Sequence, residues 1–237
     1  KSAATPTANS TTNSTTNAIA SSIDDPIEFE LFKNAIFAIS DEMAVTIYRT
    51  TYSGVLRDNM DFSTALADAD GKMVAQGLTL PGHLGSIPAA LAVVVERYAG
   101  DIGPGDMFIM NDPFDGGMHL PDIFIFQPLF HDGKRVAFAA TISHHSDVGG
   151  RVPSSISPSN HEIFQEGIIV PPMKILRRGA INQDFVTIFT ANCRTPEINM
   201  GDIGALLGAL ETCEKRVLDV VQAHGVETVI TAQTDLQ

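Results

Sequence analysis

Polar residues of the kinds that bind metals or transfer protons lie close together in residues 107–150. This cluster comprises Asn111, Asp112, Asp115, His119, Asp122, His144, His145 and Asp147. It alternates with strongly apolar segments, and a packed core would not otherwise tolerate so many carboxylates and imidazoles. Two carboxylates about 4 Å apart repel each other by roughly 4 kcal/mol at an effective dielectric constant near 20. Because a bound divalent cation would offset that repulsion, the cluster predicts a metal site.

His119 and Asp122 are the first two predicted ligands, with Pro121 restricting the backbone between them. The third ligand would come from His144 or His145, which follow an apolar segment. Since neighbouring residues of a strand face opposite ways, we expect one of these two histidines to point into the site. Two imidazoles and one carboxylate, with coordination positions left open, suit a Zn, Mn or Fe(II) ion.

Asp112, Asp147 and the remaining histidine of the pair are candidates for a fourth ligand or for acceptors that orient the imidazoles. In the alternative interpretation, the histidines cap strand ends by hydrogen bonds and the aspartates only terminate turns. The HxxD spacing is not specific enough by itself to decide between the two.

The elements that must position these residues are strands and long helices. Apolar segments bounded by turn residues predict strands at Met107–Met110, Ile123–Phe130 and Val136–Ser143. The segments Phe62–Ala67 and Lys72–Ala75 predict a β-hairpin. The fold class expected from this pattern is α+β, with a mixed, mostly antiparallel sheet packed against long helices.

Start and stop signals place the helices. Asp25 and Pro26 predict a helix start, and the apolar spacing continues the helix to about Tyr52. Further segments are predicted as helices at 87–98, 183–191 and 196–224, the last one ending at Gly225, and as a short strand at 167–170. Residues 1–23 contain almost no large apolar groups and predict a disordered tail, so the folded domain is expected to cover residues 24–237.

The bulk composition excludes several classes of partner. The net charge is −13 over 237 residues, whereas nucleic acids and anionic membrane surfaces require a basic face. No apolar segment is long enough for a membrane span, and we expect a cytoplasmic protein. The sequence contains neither GxxxxGK[ST] nor GxGxxG, so it gives no sign of binding a nucleotide itself. Cys193 and Cys213 are expected to be free thiols.

Several sequence blocks together resemble one known family. They are RDNMDFSTALADADGKMVAQG, LPGHLGSIPAAL, GDMFIMNDPFDGGMHLPDI, SHHSDVGG and EIFQEGI, in this order. In combination they resemble the hydantoinase B/oxoprolinase family over about Asp25 to Gly225. The resemblance implies that the metal ligands are His119, Asp122 and His144. Asp112, His145 and Asp147 are then left as the predicted catalytic residues.

The resemblance also implies a function and a partner. It implies a metal-containing subunit of an ATP-dependent cyclic amidohydrolase, which opens a hydantoin, lactam or 5-oxoproline ring. ATP-Mg would lie on a hydantoinase A-type subunit. The first alternative is a subunit of a ketone carboxylase of the acetone or acetophenone type. The second is a non-catalytic scaffold, which docks the ATPase subunit through the first helix or through Leu206–Val220. Members of the family are much longer than this chain, so a second chain that completes the domain is a further expected partner.

Overall fold

The computed structural model describes residues 23–77 and 80–237. The disordered tail predicted for residues 1–23 therefore lies outside the described residues, except for Ile23. The side chain of Ile23 is buried in the main hydrophobic core. The folded part that the structure describes thus includes the residue just before the predicted domain boundary.

Seven strands form a single antiparallel sheet in the described residues. They are β1 (Phe62–Ala67), β2 (Met73–Gln76), β3 (Met107–Met110), β4 (Asp122–His131), β5 (Lys134–His144), β6 (Met173–Arg177) and β7 (Ala180–Ile181). Their spatial order is β2-β1-β5-β4-β3-β6-β7, and each recorded pairing is antiparallel. The predicted α+β class is confirmed, and the mostly antiparallel pairing expected from the sequence is antiparallel throughout the described sheet.

The helices of the described residues range from single turns to long core helices. They are α1 (Pro26–Thr50), α2 (Gly54–Asp58), α3 (Pro81–Leu84), α4 (Ile87–Arg97), α5 (Gln183–Asn192), α6 (Pro196–His224) and α7 (Val226–Asp235). Asp25 caps α1 as predicted, since its carboxylate accepts a hydrogen bond from the backbone N–H of Ile27. None of these helices is long and apolar enough to cross a membrane.

Helices cover both faces of the sheet because both faces are apolar. On one face, side chains such as Ile123 and Ile125 of β4 belong to the same core cluster as α1 and α6. On the other face, alternate residues such as Phe124 and Phe126 pack with α4. We call these the α6 face and the α4 face. Strand alternation assigns each site residue to one of them.

The predicted strand at 167–170 is wrong, because a buried side chain occupies its backbone hydrogen-bonding groups. The side chain of Asn111 accepts from the backbone N–H of Val170 and donates to the carbonyl groups of Ile168 and Leu120. The next strand in the chain, β6, begins only at Met173. Helix α7 was not predicted from the sequence.

Candidate metal centre

The register of the β4–β5 hairpin brings the first two site residues together. Asp122 and His144 are direct partners across the two strands, at the end of the hairpin opposite its turn. Asp122 lies two residues before Phe124, and His144 lies two residues after Ile142. Since Phe124 and Ile142 belong to the α4 face, the side chains of Asp122 and His144 project from that same face. Nδ1 of His144 lies 3.1 Å from Oδ1 of Asp122.

His119 reaches the other oxygen of the same carboxylate. A turn, in which the N–H of Asp122 donates to the carbonyl of His119, leads the chain into β4. Nδ1 of His119 lies 2.6 Å from Oδ2 of Asp122. The rings of His119 and His144 are 5.0 Å apart between centroids. Asp122 therefore stands between two imidazoles, one on each oxygen.

The tight loop that precedes His119 approaches α4 closely. Gly116 has a φ of 95°, a backbone conformation that favours glycine. A Cβ atom at this position would lie 2.8 Å from the backbone of Ala89 and Ala90. Glycine thus allows the loop before His119 to approach the helix closely enough to bring that histidine over the end of β4.

The buried carboxylate of Asp122 has an unusual acidity. Burial alone would raise its pKa, but the hydrogen bonds from His119 and His144 outweigh burial and hold the pKa at about 2. The hydrogen bond to Asp122 raises the pKa of His119 above its usual value of 6.5, although burial opposes this rise. Without metal, the group is thus organised around one ionised carboxylate that attracts protons or cations.

These three side chains fit a divalent metal ion. One ligand atom from each of His119, Asp122 and His144 can be chosen so that all three lie within 4.8 Å of one another. No other group of three His, Cys, Asp or Glu residues within the described part of the chain has this property. Two imidazoles and a carboxylate are ligands for Zn, Mn or Fe(II), as the sequence predicted. Asp122 is almost completely buried, while His119 is 38% exposed and leaves the site open to solvent.

Further titratable residues border this triad and were not assigned to it from the sequence. Asp61 precedes β1, and its backbone carbonyl accepts a hydrogen bond from the N–H of His144. His83 lies on α3 with Nε2 3.4 Å from Oδ1 of Asp61. The charges of Asp61 and Glu166 both raise the pKa of His119, which indicates that they face the same site. Sequence spacing could not reveal this neighbourhood, because it depends on β1 lying next to β5.

Two aspartates of the sequence cluster have other contacts. Asp112 caps the short 3-10 helix Pro113–Asp115 by accepting from the N–H of Phe114. Asp115 forms an ion pair of 2.8 Å with Arg97 of α4. The acidic residues of the cluster are therefore dispersed, and only Asp122 joins the two histidines. The catalytic role of Asp112 stays a prediction.

His145 points to the α6 face of the sheet. It is fully buried, its ring packs edge-on against Phe189, and Nε2 lies 3.2 Å from Oγ of Ser143. Burial lowers its pKa to about 4, which favours the neutral imidazole. The expectation that only one histidine of the pair would point into the site agrees with this geometry. The structure places His144 there, and the catalytic role of His145 stays a prediction.

Asp147 is bound within the loop that follows β5. Its carboxylate accepts from the backbone N–H groups of Gly149 and Ser154 and from the Arg194 guanidinium, 3.0 Å away. Burial raises its pKa, but these hydrogen bonds outweigh burial and lower the pKa overall. The observed contacts thus connect Asp147 to the loop backbone and to Arg194. Its predicted catalytic role is not tested by them.

The fold and this group of ligands define an α+β protein with a candidate mononuclear metal site. The chain belongs to the hydantoinase B/oxoprolinase family, whose sequence profile matches residues 25–237. The family resemblance seen in the sequence blocks is therefore confirmed. The match begins at the N-cap of α1 and includes each residue of the candidate site.

Two curated relatives are longer enzymes or enzyme subunits. The chain is 32% identical over 213 residues to the caprolactamase subunit beta of Pseudomonas jessenii, covering 90% of this chain and 37% of that subunit. It is 31% identical over 205 residues to the 5-oxoprolinase of Dictyostelium discoideum, covering 86% of this chain and 16% of that protein. The chain thus spans well under half the length of these relatives.

Solved structures show the same fold. The crystal structure of the ATP-dependent caprolactamase from Pseudomonas jessenii superposes with a TM-score of 0.84 at 31% identity, covering 90% of this chain and 37% of that one. A nucleotide-free acetone carboxylase superposes with a TM-score of 0.83 at 20% identity, covering 88% of this chain and 28% of that one. At that identity, the second similarity establishes the fold alone.

Proposed function

We propose that this chain is the metal-binding part of an ATP-dependent enzyme that opens cyclic amides such as lactams, hydantoins or 5-oxoproline. The observation that carries the proposal is the convergence of His119, Asp122 and His144 at the end of the β4–β5 hairpin. The family membership and the names of the relatives, a caprolactamase subunit and a 5-oxoprolinase, supply the reaction class.

The three residues would hold the metal, and their surroundings suit that task. A divalent cation at such a site polarises a carbonyl group and activates water. Asp122 supplies the buried negative charge, and the two imidazoles flank it on both oxygens. The exposed edge of His119 leaves room for a small cyclic substrate to approach. Glu166 and Asp61 add negative charge around the site.

ATP would bind outside this sequence. The chain carries no phosphate-binding glycine motif, and its net charge of −13 disfavours a triphosphate site without dedicated cations. A hydantoinase A-type subunit that binds ATP-Mg is the partner we propose. The ring-opening reaction would then combine ATP-dependent activation of the amide with this metal site.

The decisive experiment uses the complete enzyme that contains this chain, together with its ATP-binding partner. It is supplied with ATP, labelled bicarbonate and, in separate reactions, a lactam, a hydantoin, 5-oxoproline and a simple ketone. We expect ring-opened product, ADP, about one metal ion per site and no label in the product. His119→Ala should abolish the reaction, whereas His131→Ala, at the far end of the same hairpin, should not.

Two results would replace the proposal. Label in a carboxylated product from a ketone, without opening of any cyclic amide, would identify a carboxylase subunit. Absence of stoichiometric metal, with unchanged partner assembly after His119→Ala, would identify a non-catalytic scaffold.

A further inference from the structure

Helix α1 carries a second apolar stripe, on the side that faces away from the core. The stripe buried in the core consists of Phe32, Ile36, Ile39, Met43 and Ile47. The second stripe consists of Ile27, Leu31, Ala38, Val45 and Tyr48, which are all exposed. Single exposed apolar side chains need no explanation, but a stripe along one side of a 25-residue helix marks a surface that another element covers.

The exposed stripe has the spacing of a coiled-coil seam. Its positions are 27, 31, 34, 38, 41, 45 and 48, separated alternately by four and three residues. We call these positions the α1 seam. Asn34 and Asp41 occupy two of them, so large apolar side chains are confined to the two ends of the seam. At one end, Ile27 and Leu31 are 72% and 65% exposed, and the other end carries Val45 and Tyr48.

A second copy of α1 fits this seam when the two helices run antiparallel. If they cross between positions 38 and 41, Leu31 of each copy lies opposite Tyr48 of the other. Each apolar end of the seam then meets the apolar end of the second copy. Asp41 of each copy lies opposite Ala38 of the other. Parallel helices in the same register would instead place the two copies of Asp41 against each other, and like charges at that position would repel.

Charges beside the seam favour the same arrangement. Glu28 and Arg49 each directly follow a seam position, 27 and 48, so they lie on the same side of the seam. In the antiparallel pair, Glu28 of each copy therefore lies beside Arg49 of the other, and two ion pairs of opposite charge result. The Glu28 side chain is 54% exposed, although it contacts His224 at 3.4 Å. Arg49 is exposed and forms no ion pair with the described residues of its own chain.

We propose that α1 is a dimerisation helix, and that two copies of this chain associate through antiparallel α1 helices along the α1 seam. Such an interface has two-fold symmetry, because the same surface of each copy forms both halves of it. α1 packs on the α6 face of the sheet, whereas Asp122 and His144 lie on the α4 face. The dimer would thus leave both candidate metal sites uncovered. This inference concerns a different surface from the proposed function and does not depend on it.

The test introduces cysteine at two seam positions in the complete enzyme that contains this chain. In Leu31→Cys/Tyr48→Cys, the two positions of one copy are about 25 Å apart along the helix, so their thiols cannot join each other. We expect mild oxidation to link position 31 of one copy to position 48 of the other. A non-reducing gel would show the covalent dimer, and mass spectrometry of the linked peptides would identify the positions.

The two single variants, Leu31→Cys and Tyr48→Cys, are the matched controls. Neither should form a covalent dimer, because in antiparallel helices each of these positions lies about 25 Å from its own counterpart. The parent should not form one either, since Cys213 is buried and Cys193 lies outside α1. A second double variant, Asn34→Cys/Val45→Cys, tests the same register at the next pair of seam positions.

Reversal of the charges gives a second readout, the rate at which Leu31→Cys/Tyr48→Cys forms the covalent dimer. Adding Glu28→Arg brings like charges together at two places in the dimer, and we expect the rate to fall about 10-fold. Adding Arg49→Glu as well restores opposite charges in reversed order. That variant should recover the rate to within about 3-fold.

Three results would overturn the inference. A covalent dimer of Leu31→Cys alone would indicate parallel helices. Absence of the dimer in both double variants, with thiols that a maleimide cannot reach, would show that another polypeptide, such as the ATP-binding subunit, covers the seam. Absence of the dimer with reactive thiols would show that the seam faces solvent. The opening of cyclic amides by the parent enzyme is measured separately, so its failure would contradict only the proposed function.

Discussion

His144 and His145 are consecutive in the chain, yet their rings lie on opposite faces of the sheet. The His144 ring lies on the α4 face of the sheet and contacts Asp122, whereas the His145 ring is buried on the α6 face and packs against Phe189. Strand alternation produces this separation. As a result, His144 lies in the candidate metal site and His145 lies in the hydrophobic core.

Alanine substitution should separate these two tasks. His144→Ala is expected to weaken Zn²⁺ affinity by at least about 100-fold. Because His119 still hydrogen-bonds Asp122, this substitution should destabilise the metal-free chain less than His145→Ala does. His145→Ala leaves a cavity and an unpaired Ser143 hydroxyl in the core, so we expect a loss of about 2–3 kcal/mol of stability. Calorimetric titration and urea unfolding measure the two quantities. Equal effects of both substitutions on stability and on affinity would contradict the separation.

Proton and metal should compete at the triad. The pKa of Asp122 is about 2, below its usual 3.8, so its stabilising effect exists above pH 3.8 and is lost as the pH falls towards 2. The pKa of His119 is raised above 6.5. The protonated His119 therefore stabilises the fold fully below pH 6.5, and this stabilisation is lost as the pH rises through the raised pKa. Without metal, this pair should therefore stabilise the chain most between about pH 4 and 6.5.

When metal is bound, the stability of the chain should increase instead of decrease as the pH rises above about 6.5, because a ligand imidazole must give up its proton to bind the metal. We expect Zn²⁺ affinity to increase as the pH rises through the raised pKa of His119. Urea unfolding from pH 3 to 9, with Zn²⁺ and with a chelator, measures both profiles. The same maximum in the two conditions would contradict this prediction.

Local spacing in the sequence predicted His119 and Asp122 and narrowed the third ligand to His144 or His145, and the family resemblance then selected His144. His119 and Asp122 are joined by one turn, and the hairpin turn sets the register that pairs Asp122 with His144. Asp61 and His83 were not assigned to the site for the opposite reason. They approach it only because β1, far earlier in the chain, adds to the sheet beside β5. No periodicity within one segment contains that information.

The helices were predicted where strong end signals exist. α6 begins at Pro196 and is capped at Gly225, as its sequence indicated. α7 follows directly after that glycine, and its N-terminus has no side-chain cap to announce it. The wrong strand at 167–170 had the composition of a strand, but Asn111, some 60 residues earlier, binds its backbone.

The contacts of Asp147 predict a large stability effect for its partner. Arg194→Ala removes a charge partner from a buried carboxylate and also removes hydrogen bonds to the carbonyl groups of Gly149, Gly150 and Val152. Breaking a fully buried pair typically costs about 3 kcal/mol, but the Arg194 side chain is 41% exposed and solvent screens part of that cost. We therefore expect a loss of about 1–2 kcal/mol in urea unfolding.

Arg216→Ala is the matched control for Arg194→Ala. Arg216 makes two hydrogen bonds of 2.8 Å to Glu42, but on the exposed surface of the helices, where such pairs contribute little. Comparable losses in the two variants would show that burial of Asp147 does not govern the effect.

Asp122→Asn tests whether the charge at the centre of the triad binds the metal. Asparagine has nearly the same shape but no charge, so it cannot balance a cation held by His119 and His144. We expect Zn²⁺ affinity to fall by at least about 100-fold. Without metal, losing an ionised carboxylate whose pKa is about 2 should cost about 2 kcal/mol at pH 6.

Asp115→Asn provides the comparison within the same acidic segment, because Asp115 is paired with Arg97 and lies outside the triad. It should leave Zn²⁺ affinity unchanged in the same titration. If both variants bind Zn²⁺ like the parent, the buried carboxylate serves only to orient two histidines. If both weaken binding equally, the general negative charge of the segment, and not a ligand at Asp122, attracts the cation.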